Sequence, residues 1–316
     1  MFFRHSMKVS VVIPVYNSAD IQNELYRRLT DVLEKNYPSH EIIFVNDGSE
    51  DNSTQVLKEI CRKDDCVRLI DFSRNFGHQA AISAGLPRAQ GDLIAVMDDD
   101  LQDPPEILPA FIDKIAEGYD VVYGVRKRRK ESLLKRLSYH FFYRLLGALS
   151  HDQIQIDAGD FCVMRRKIVD AINLFPESNK FLRGIRSSVG FKQVGLEYER
   201  DPRRAGKSQY TFKKYVRFAL DALFSFSYLP LRIATLLGVA AAFLSFVYGI
   251  FIVFKKLFGY IDHVPGFASL FVLTAFLGGM ILVSLGIIGE YIARVYDEAK
   301  KRPLYIIREE VNFDRK

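Results

Sequence analysis

Residues 93–105 of the chain read LIAVMDDDLQDPP, an apolar run followed directly by three aspartates. The run has the composition of a buried β-strand, and the aspartates come where that strand would end. Because side chains alternate along an extended segment, we expect Asp98 and Asp100 to share a face. Two carboxylates at a strand end suit Mg²⁺ or Mn²⁺, which take oxygen ligands from a few protein groups and from substrate phosphates. The motif therefore predicts a divalent metal site.

The first half of the chain alternates between strand and helix patterns. Five such alternations predict an α/β domain with a Rossmann-like, mostly parallel sheet covered by helices on both faces. Ligands of these sheets bind beyond the carboxyl ends of the strands, which is where the aspartates lie. The expected strands span Lys8–Asn17, Glu41–Asp47, Val67–Phe72, Asp92–Met97 and Asp120–Tyr123.

The second half contains two long apolar segments. Residues 229–254 carry one charge near their start, and residues 267–292 carry one near their end. About 20 apolar residues suffice to cross a hydrocarbon core, so a hairpin of two transmembrane helices is predicted. The outer flanks are richer in Lys and Arg than the link between the two segments, which predicts that both termini and the first domain are cytoplasmic. The expected location is the cell (inner) membrane, as a multi-pass protein.

The net charge is +6, and many of the Lys and Arg residues cluster within residues 126–136 and 200–217. Basic runs close to membrane spans suit anionic lipid head groups, and nucleic acid is not an expected partner because no nucleic-acid-binding motif accompanies them. Residues 131–150 and 213–228 are predicted to be amphipathic helices at the membrane interface, although packing against a core fits the same pattern. The three cysteines lack the spacing of a zinc site.

Several motifs resemble those of known enzymes. The segments VVIPVYN (residues 11–17), VNDGS (45–49) and DDDLQDPP (98–105) resemble family-2 glycosyltransferases of the GT-A fold. Three further segments are similar to the polyisoprenyl-phosphate glycosyltransferases, which include dolichol-phosphate mannose synthases and bactoprenol glucosyltransferases. These are SRNFGHQ (73–79), DAGDF (157–161) and RDPRRAGKS (200–208).

The resemblance covers essentially the whole chain, and the C-terminal hairpin favours the bactoprenol type. It implies a metal-dependent hexosyltransferase that moves a sugar from a nucleotide donor to a polyisoprenyl phosphate. UDP-glucose and undecaprenyl phosphate are the expected pair, with mannose, N-acetylglucosamine or a modified pentose as alternative sugars. A non-catalytic nucleotide-sugar-binding membrane protein is a further alternative. A processive polysaccharide synthase is disfavoured because its usual acceptor motif includes Trp, which this chain lacks.

The resemblance also implies roles for individual residues. Asp98, Asp100 and Gln102 are expected to hold the metal and the diphosphate, and Asp100 is also expected to be catalytic. Asp157 is expected to act in catalysis by alignment, because a phosphate monoester with a second pKa of about 6 scarcely needs a base. The alternative is that Asp157 or Asp160 acts as a general base. The remaining expected contacts with the nucleotide sugar are Pro14, Tyr16, Asn17, Asp47 and Asp99.

A basic loop precedes the membrane helices. Its guanidinium groups match phosphate oxygens, so the loop is predicted to bind the acceptor phosphate, with Arg200 and Arg203 also expected to be catalytic. A solvated charge run is the alternative interpretation. The residues assigned to this role are Arg126, Arg200, Arg203, Lys207 and Ser208.

Two positions depart from the family pattern, in which Glu often follows the first motif and two aspartates often precede Gly-Ser. Here Ser18 and Asn46 occupy those positions, which leaves the choice between uridine and guanosine open. Glycines along residues 278–289 fit a homo-oligomer, because small residues let membrane helices approach closely.

The expected organisation divides the chain into seven parts. These are a nucleotide-sugar-binding core (1–130), an interfacial helix (131–150), an acceptor and catalytic part with the basic loop (151–212), a second interfacial helix (213–228), transmembrane helices (229–254 and 267–292) and a cytoplasmic tail (293–316).

Overall fold

This computed structural model describes residues 7–126, 158–175, 182–199, 229–258 and 266–313. The described residues belong to two compact units. The first is an α/β unit that also contains the chain after Lys301, and the second contains two long apolar helices. The α/β unit therefore combines the first half of the chain with its C-terminal end.

One sheet of eight strands organises the described part of the α/β unit. The strands are β1 (Val9–Val15), β2 (His40–Asn46), β3 (Val67–Phe72), β4 (Leu93–Val96), β5 (Val121–Arg126), β6 (Ala158–Arg165), β7 (Gln193–Tyr198) and β8 (Ile307–Val311). Their order across the sheet is β7-β5-β6-β4-β1-β2-β3-β8. β4, β1, β2 and β3 form a parallel block, whereas β6 and β8 run antiparallel to their neighbours. All five predicted strands are present, and the sheet is mostly parallel as expected.

Helices cover both faces of this sheet, as predicted. Side chains alternate along β1, so Val11 and Ile13 join one buried cluster and Val12 joins the other. α1 places Leu25 and Leu29 in the first cluster at the four-residue spacing of an amphipathic helix. The six helices described in this unit are α1 (Ala19–Asn36), α2 (Ser53–Lys63), α3 (His78–Gly85), α4 (Leu108–Ala116), α5 (Arg166–Asn173) and α6 (Leu182–Ser188).

The C-terminal end requires a correction. Residues 293–316 were expected to form only a tail, but residues 293–299 continue the last long helix and residues 307–311 form β8. β8 reads IREEV and pairs antiparallel with β3. Such a charged segment carries little strand pattern of its own, and its exposed position at the sheet edge tolerates charge.

The second unit contains α7 (Leu229–Leu257) and α8 (Phe267–Ala299). By length and composition, each is apolar enough to cross a membrane. The candidate spans are Leu231–Lys255 and Phe276–Ala299, with mean hydropathies of 2.4 and 1.8 and no buried residues in the most apolar window of either. Both helices extend beyond the predicted ends at 254 and 292. The predicted interfacial helices at 131–150 and 213–228 lie outside the described residues.

Candidate active site

The loops after β1 and β2 are bound to each other at the carboxyl edge of the sheet. Asn17 adopts a left-handed backbone conformation with φ of 51°. Its side-chain oxygen accepts a hydrogen bond from the Glu50 amide at 2.8 Å, and its own amide donates to the Ser49 hydroxyl at 3.0 Å. Next to it, Tyr16 is 47% exposed, while Pro14 is buried in β1. Tyr16 is therefore exposed at an edge whose backbone these hydrogen bonds hold in place.

Asp47 connects the loop after β2 to the loop after β3. The residue is 3% exposed, and its carboxylate accepts hydrogen bonds from the amides of Phe76 and Gly77 at 2.6 and 2.9 Å. Burial raises the pKa of Asp47, and these two hydrogen bonds oppose the rise. Gly48 has φ of +63°, and a Cβ there would lie 2.2 Å from the backbone carbon of Arg74. Only glycine permits this close approach of the two loops.

The acidic motif follows β4 at the same edge. Leu101 is 2% exposed and left-handed, with φ of 56°, and the Gln102 amide donates to Oδ1 of Asp100 at 3.1 Å. This buried turn fixes the direction of the Asp100 carboxylate. Asp99 accepts a hydrogen bond from the Ser18 hydroxyl. Burial raises the pKa of both Asp98 and Asp99 to about 6.

The donor set of this motif fits a divalent cation. Asp98, Asp100 and Gln102 offer only oxygen ligands from their side-chain carboxylates and amide, the type that Mg²⁺ and Mn²⁺ prefer. The raised pKa of Asp98 reflects the cost of burying its charge, which a cation would offset. Among the described residues, no three His, Cys, Asp or Glu side chains group as metal ligands. The fit therefore requires further oxygens from water or from a bound diphosphate.

A cluster that sequence reasoning did not assemble lies beside the motif. Nε2 of His78 is 3.6 Å from Oδ1 of Asp98 and 3.5 Å from Oδ2 of Asp160. Both oxygens of Asp160 accept hydrogen bonds from Arg183, at 2.7 and 2.8 Å. Asp160 and His78 lie in two separate segments of the family resemblance, DAGDF and SRNFGHQ, whereas Arg183 on α6 lies in no such segment. Its contribution becomes visible only when α6 packs against β6.

Asp160 is held in its ionised form. Burial alone would raise the pKa of this carboxyl, but the Arg183 and His78 contacts hold it well below its usual range. Burial favours the neutral His78 ring, yet the hydrogen bond to Asp160 and the nearby charge of Asp98 raise the pKa of His78. A carboxylate paired in this way is a poor proton acceptor, so Asp160 is suited to positioning rather than to general-base catalysis.

The two departures from the family pattern have local partners. The Ser18 hydroxyl donates to Asp99 and accepts from Nε2 of Gln22 at 2.7 Å. Asn46 is fully buried, and its Nδ2 donates to Thr54 and to Asp71, each at 2.7 Å. An aspartate at position 46 would face the Asp71 carboxylate without a proton to donate. The amide therefore matches the aspartate opposite it.

The structure brings Pro14, Tyr16, Asn17, Asp47 and residues 98–102 to one edge of the sheet. Arg126 is the last residue of β5 and is described by its backbone alone. The other predicted catalytic and acceptor residues lie outside the described residues. These are Asp157, Arg200, Arg203, Lys207 and Ser208.

Comparison with known proteins agrees with this architecture. The glycosyl transferase family 2 model matches residues 10–172, and the GtrB C-terminal hairpin model matches residues 229–295. In structure, glucosyl-3-phosphoglycerate synthase from Mycobacterium tuberculosis, in complex with Mn²⁺, uridine diphosphate and phosphoglyceric acid, has a TM-score of 0.50. It is 16% identical in sequence, and the match covers 69% of this chain and 77% of that chain. This likeness supports the GT-A fold.

Two relatives match nearly the whole chain. The uncharacterized glycosyltransferase YkcC of Bacillus subtilis is 45% identical, over 99% of this chain and 97% of its own length. The bactoprenol glucosyl transferase of Shigella phage SfV is 40% identical, over 96% of this chain and 99% of its own. Since the family model spans about half of the chain and these relatives span nearly all of it, the chain belongs to glycosyl transferase family 2.

Proposed function

We propose that this protein transfers glucose from UDP-glucose to undecaprenyl phosphate, giving a polyisoprenyl-phosphate sugar for modification of cell-envelope glycans. The observation that carries the proposal is the 40% identity, hairpin included, to proteins named bactoprenol glucosyl transferase. The acidic turn after β4 (residues 98–102) and the adjoining loops at 14–17 and 46–49 are suited to bind a nucleoside diphosphate. Mannose, N-acetylglucosamine and a modified pentose are alternative sugars for the same lipid.

The proposed reaction is a direct displacement at the anomeric carbon. An oxygen of the lipid phosphate forms the new bond, the bond to the diphosphate breaks, and its electron pair leaves with the nucleoside diphosphate. The configuration at the anomeric carbon therefore inverts. Asp98, Asp100 and Gln102 would hold Mg²⁺ or Mn²⁺, which supplies a Lewis acid for the charge that develops on the leaving diphosphate. Nε2 of His78 lies 3.6 Å from Oδ1 of Asp98, so a positive charge on the ring would favour the ionised carboxylate.

The other assigned residues bind and align the two substrates in this proposal. Tyr16 and Asn17 contact the nucleoside, together with Pro14 and Asp47. Asp157 aligns the acceptor, and no base is required because the lipid phosphate is largely ionised near neutral pH, with a second pKa of about 6. The acceptor phosphate is bound by Arg126, Arg200, Arg203, Lys207 and Ser208.

The membrane arrangement is part of the proposal. α7 and α8 cross the cell membrane as a hairpin, and the α/β unit remains in the cytoplasm, where nucleotide sugars are available. Both chain termini then lie on the cytoplasmic side, in line with the positive flanks of the hairpin. Assembly into a homo-oligomer through the glycines of α8 stays a prediction.

The test is transfer of radiolabelled sugar into an organic phase by the purified full-length protein. The assay supplies undecaprenyl phosphate, Mg²⁺ or Mn²⁺, and in turn UDP-glucose, GDP-mannose and UDP-N-acetylglucosamine. We expect label in the lipid with UDP-glucose and loss of that label on addition of EDTA. Label from another donor would replace glucose but keep the reaction class. Nucleotide binding without transfer from any donor would overturn the catalytic proposal.

A further inference from the structure

The C-terminal strand β8 contacts one of the loops at the candidate nucleotide edge. Nη2 of Arg308 donates to the carbonyl oxygen of Ser73 at 2.8 Å, and the Ser73 amide donates to the carbonyl of Ile306 at 2.9 Å. Ser73 opens the segment whose Phe76 and Gly77 amides bind Asp47. The strand that follows the hairpin in sequence is thereby joined to the loop that holds Asp47.

A second connection runs through buried polar side chains. Nη1 of Arg308 lies 3.5 Å from Oδ2 of Asp71, a carboxylate that is 1% exposed. The other oxygen of Asp71 accepts a hydrogen bond from Asn46, and Oδ1 of Asn46 accepts one from the Ser49 hydroxyl at 2.5 Å. Ser49 in turn accepts a hydrogen bond from the Asn17 amide. Four side chains thus connect β8 to the loops after β1 and β2.

Aromatic and amide contacts hold the segment around β8 in place. Tyr305 stacks on Phe72 with ring centroids 5.1 Å apart, and Phe72 meets Phe76 edge to face at 5.7 Å. After the strand, the Asn312 amide donates to the carbonyls of Cys61 and Val67 at 2.7 and 2.8 Å. Because contacts before and after Arg308 hold β8 in position, its guanidinium can contact both Ser73 and Asp71.

We propose that Arg308 is a positioning residue for nucleotide binding, acting through the loops at 46–49 and 73–77 and not by contact with the reacting atoms. This inference rests on the proposed nucleotide-sugar donor. The planar guanidinium can serve Ser73 and Asp71 together, which an ammonium group cannot do with the same geometry. The Asp71 carboxylate is buried although the Arg308 side chain is 55% exposed, so removal of the guanidinium is expected to shift Asp71 and, through their hydrogen bond, Asn46.

The experiment measures UDP binding by titration calorimetry, with Mg²⁺, on full-length protein in detergent. The variants are Arg308→Gln and, as a matched control on the same strand, Glu309→Gln, which removes only an ion pair with Lys58 at the surface. We expect Arg308→Gln to raise the Kd for UDP roughly three- to tenfold, the range by which residues in such networks modulate a distant site. The KM for the donor rises similarly while kcat is unchanged. Glu309→Gln binds UDP like the wild type.

A rescue variant separates positioning from general stability. Arg308→Lys keeps the charge beside Asp71 but lacks the fork, so its Kd is expected between those of the wild type and Arg308→Gln. Should Arg308→Gln fail to fold, Arg308→Lys against Glu309→Gln carries the same test. Equal Kd values for the Arg308 and Glu309 variants, or a lower kcat at unchanged KM, would overturn the role of Arg308. A wild-type protein that binds neither UDP nor GDP would instead refute the proposed donor.

Discussion

The α/β unit and the helical hairpin place their apolar and charged groups in opposite ways. In the α/β unit apolar side chains form the core, and a buried charge such as Asp160 is paired with Arg183. In the hairpin, Phe246 and Leu282 are 68% and 71% exposed, and the most apolar windows contain no buried residues. One rule explains both arrangements when water surrounds the first unit and hydrocarbon the second, because apolar groups leave water but not lipid. Exposure in this protein is therefore informative only together with the surrounding medium.

Removing a carboxylate from the acidic turn after β4 is expected to have the largest effect on sugar transfer. Asp100→Ala deletes one of the proposed metal ligands, so transfer of labelled sugar to lipid should fall by roughly 10²- to 10³-fold, the cost of losing one strong electrostatic contact to a transition state. The control is Asp170→Ala, which deletes a solvent-exposed carboxylate on α5 and should retain wild-type transfer. Comparable loss in both variants would contradict a special role for the acidic turn.

Adding a charge to the hairpin tests whether its exposed apolar side chains face hydrocarbon. Leu282→Arg places a guanidinium on an exposed apolar position of α8, where insertion should cost about 3 kcal/mol if the surroundings are hydrocarbon. We expect a larger fraction of the protein to be released from membranes by alkaline carbonate. Leu282→Phe keeps the position apolar and should remain in the membrane pellet. Identical extraction of both variants would argue against a lipid-facing position.

Breaking the Asp160–Arg183 pair tests whether a buried charge in the α/β unit needs its partner for the unit to stay stable. Arg183→Gln removes the two hydrogen bonds that Arg183 donates to Asp160 and should lower the free energy of unfolding by about 2 kcal/mol. The matched change Arg27→Gln removes an ion pair with Asp31 at the surface, which should cost roughly 0.5 kcal/mol or less. Thermal unfolding followed by circular dichroism compares the two, and an equal loss of stability would refute the difference.

The smallest effect is expected at Ser18. Ser18→Ala removes the hydroxyl that contacts Asp99 and Gln22, and loss of such a hydrogen bond costs about 1 kcal/mol. We therefore expect UDP binding in the presence of Mg²⁺ to weaken by about fivefold. Ser18→Thr retains the hydroxyl and should bind nearly as the wild type does. Calorimetric titration distinguishes the two variants. Unchanged affinity for UDP in Ser18→Ala would show that this hydroxyl does not contribute to nucleotide binding.

The central strands and the acidic turn could be predicted because their signals are local. β3 spans Val67–Phe72, as expected from its apolar run, and β1, β2 and β4 differ from their predicted ranges by a few residues. Parallel strands bring their carboxyl ends to one edge, so residues 14–17, 46–49 and 98–102 could be grouped without coordinates. The strand patterns indicated the carboxyl edge of the sheet as the site, and the family resemblance indicated glycosyl transfer as its reaction.

The contributions of Arg183 and β8 could not be predicted in this way. Arg183 lies in a short helix with no motif, and its value comes from the Asp160 carboxylate 23 positions earlier. β8 is rich in charge, and its strand partner lies more than 200 positions earlier in the chain. Pairings over such distances depend on the path of the whole chain and leave no periodic signal within the segment itself.

The sequence alone determined the class of the sheet, the edge at which ligands are expected, the oxygen-rich turn and the two apolar helices. Each of these follows from the order of residues over a window of about 20 positions or fewer, where apolar spacing and chain length suffice. Only the tertiary structure decided that His78, Asp160 and Arg183 meet beside Asp98, and that Arg308 returns from the far end of the chain to Asp71. Contacts between buried charges depend on distances of about 3–4 Å, and those are set by packing rather than by proximity in sequence.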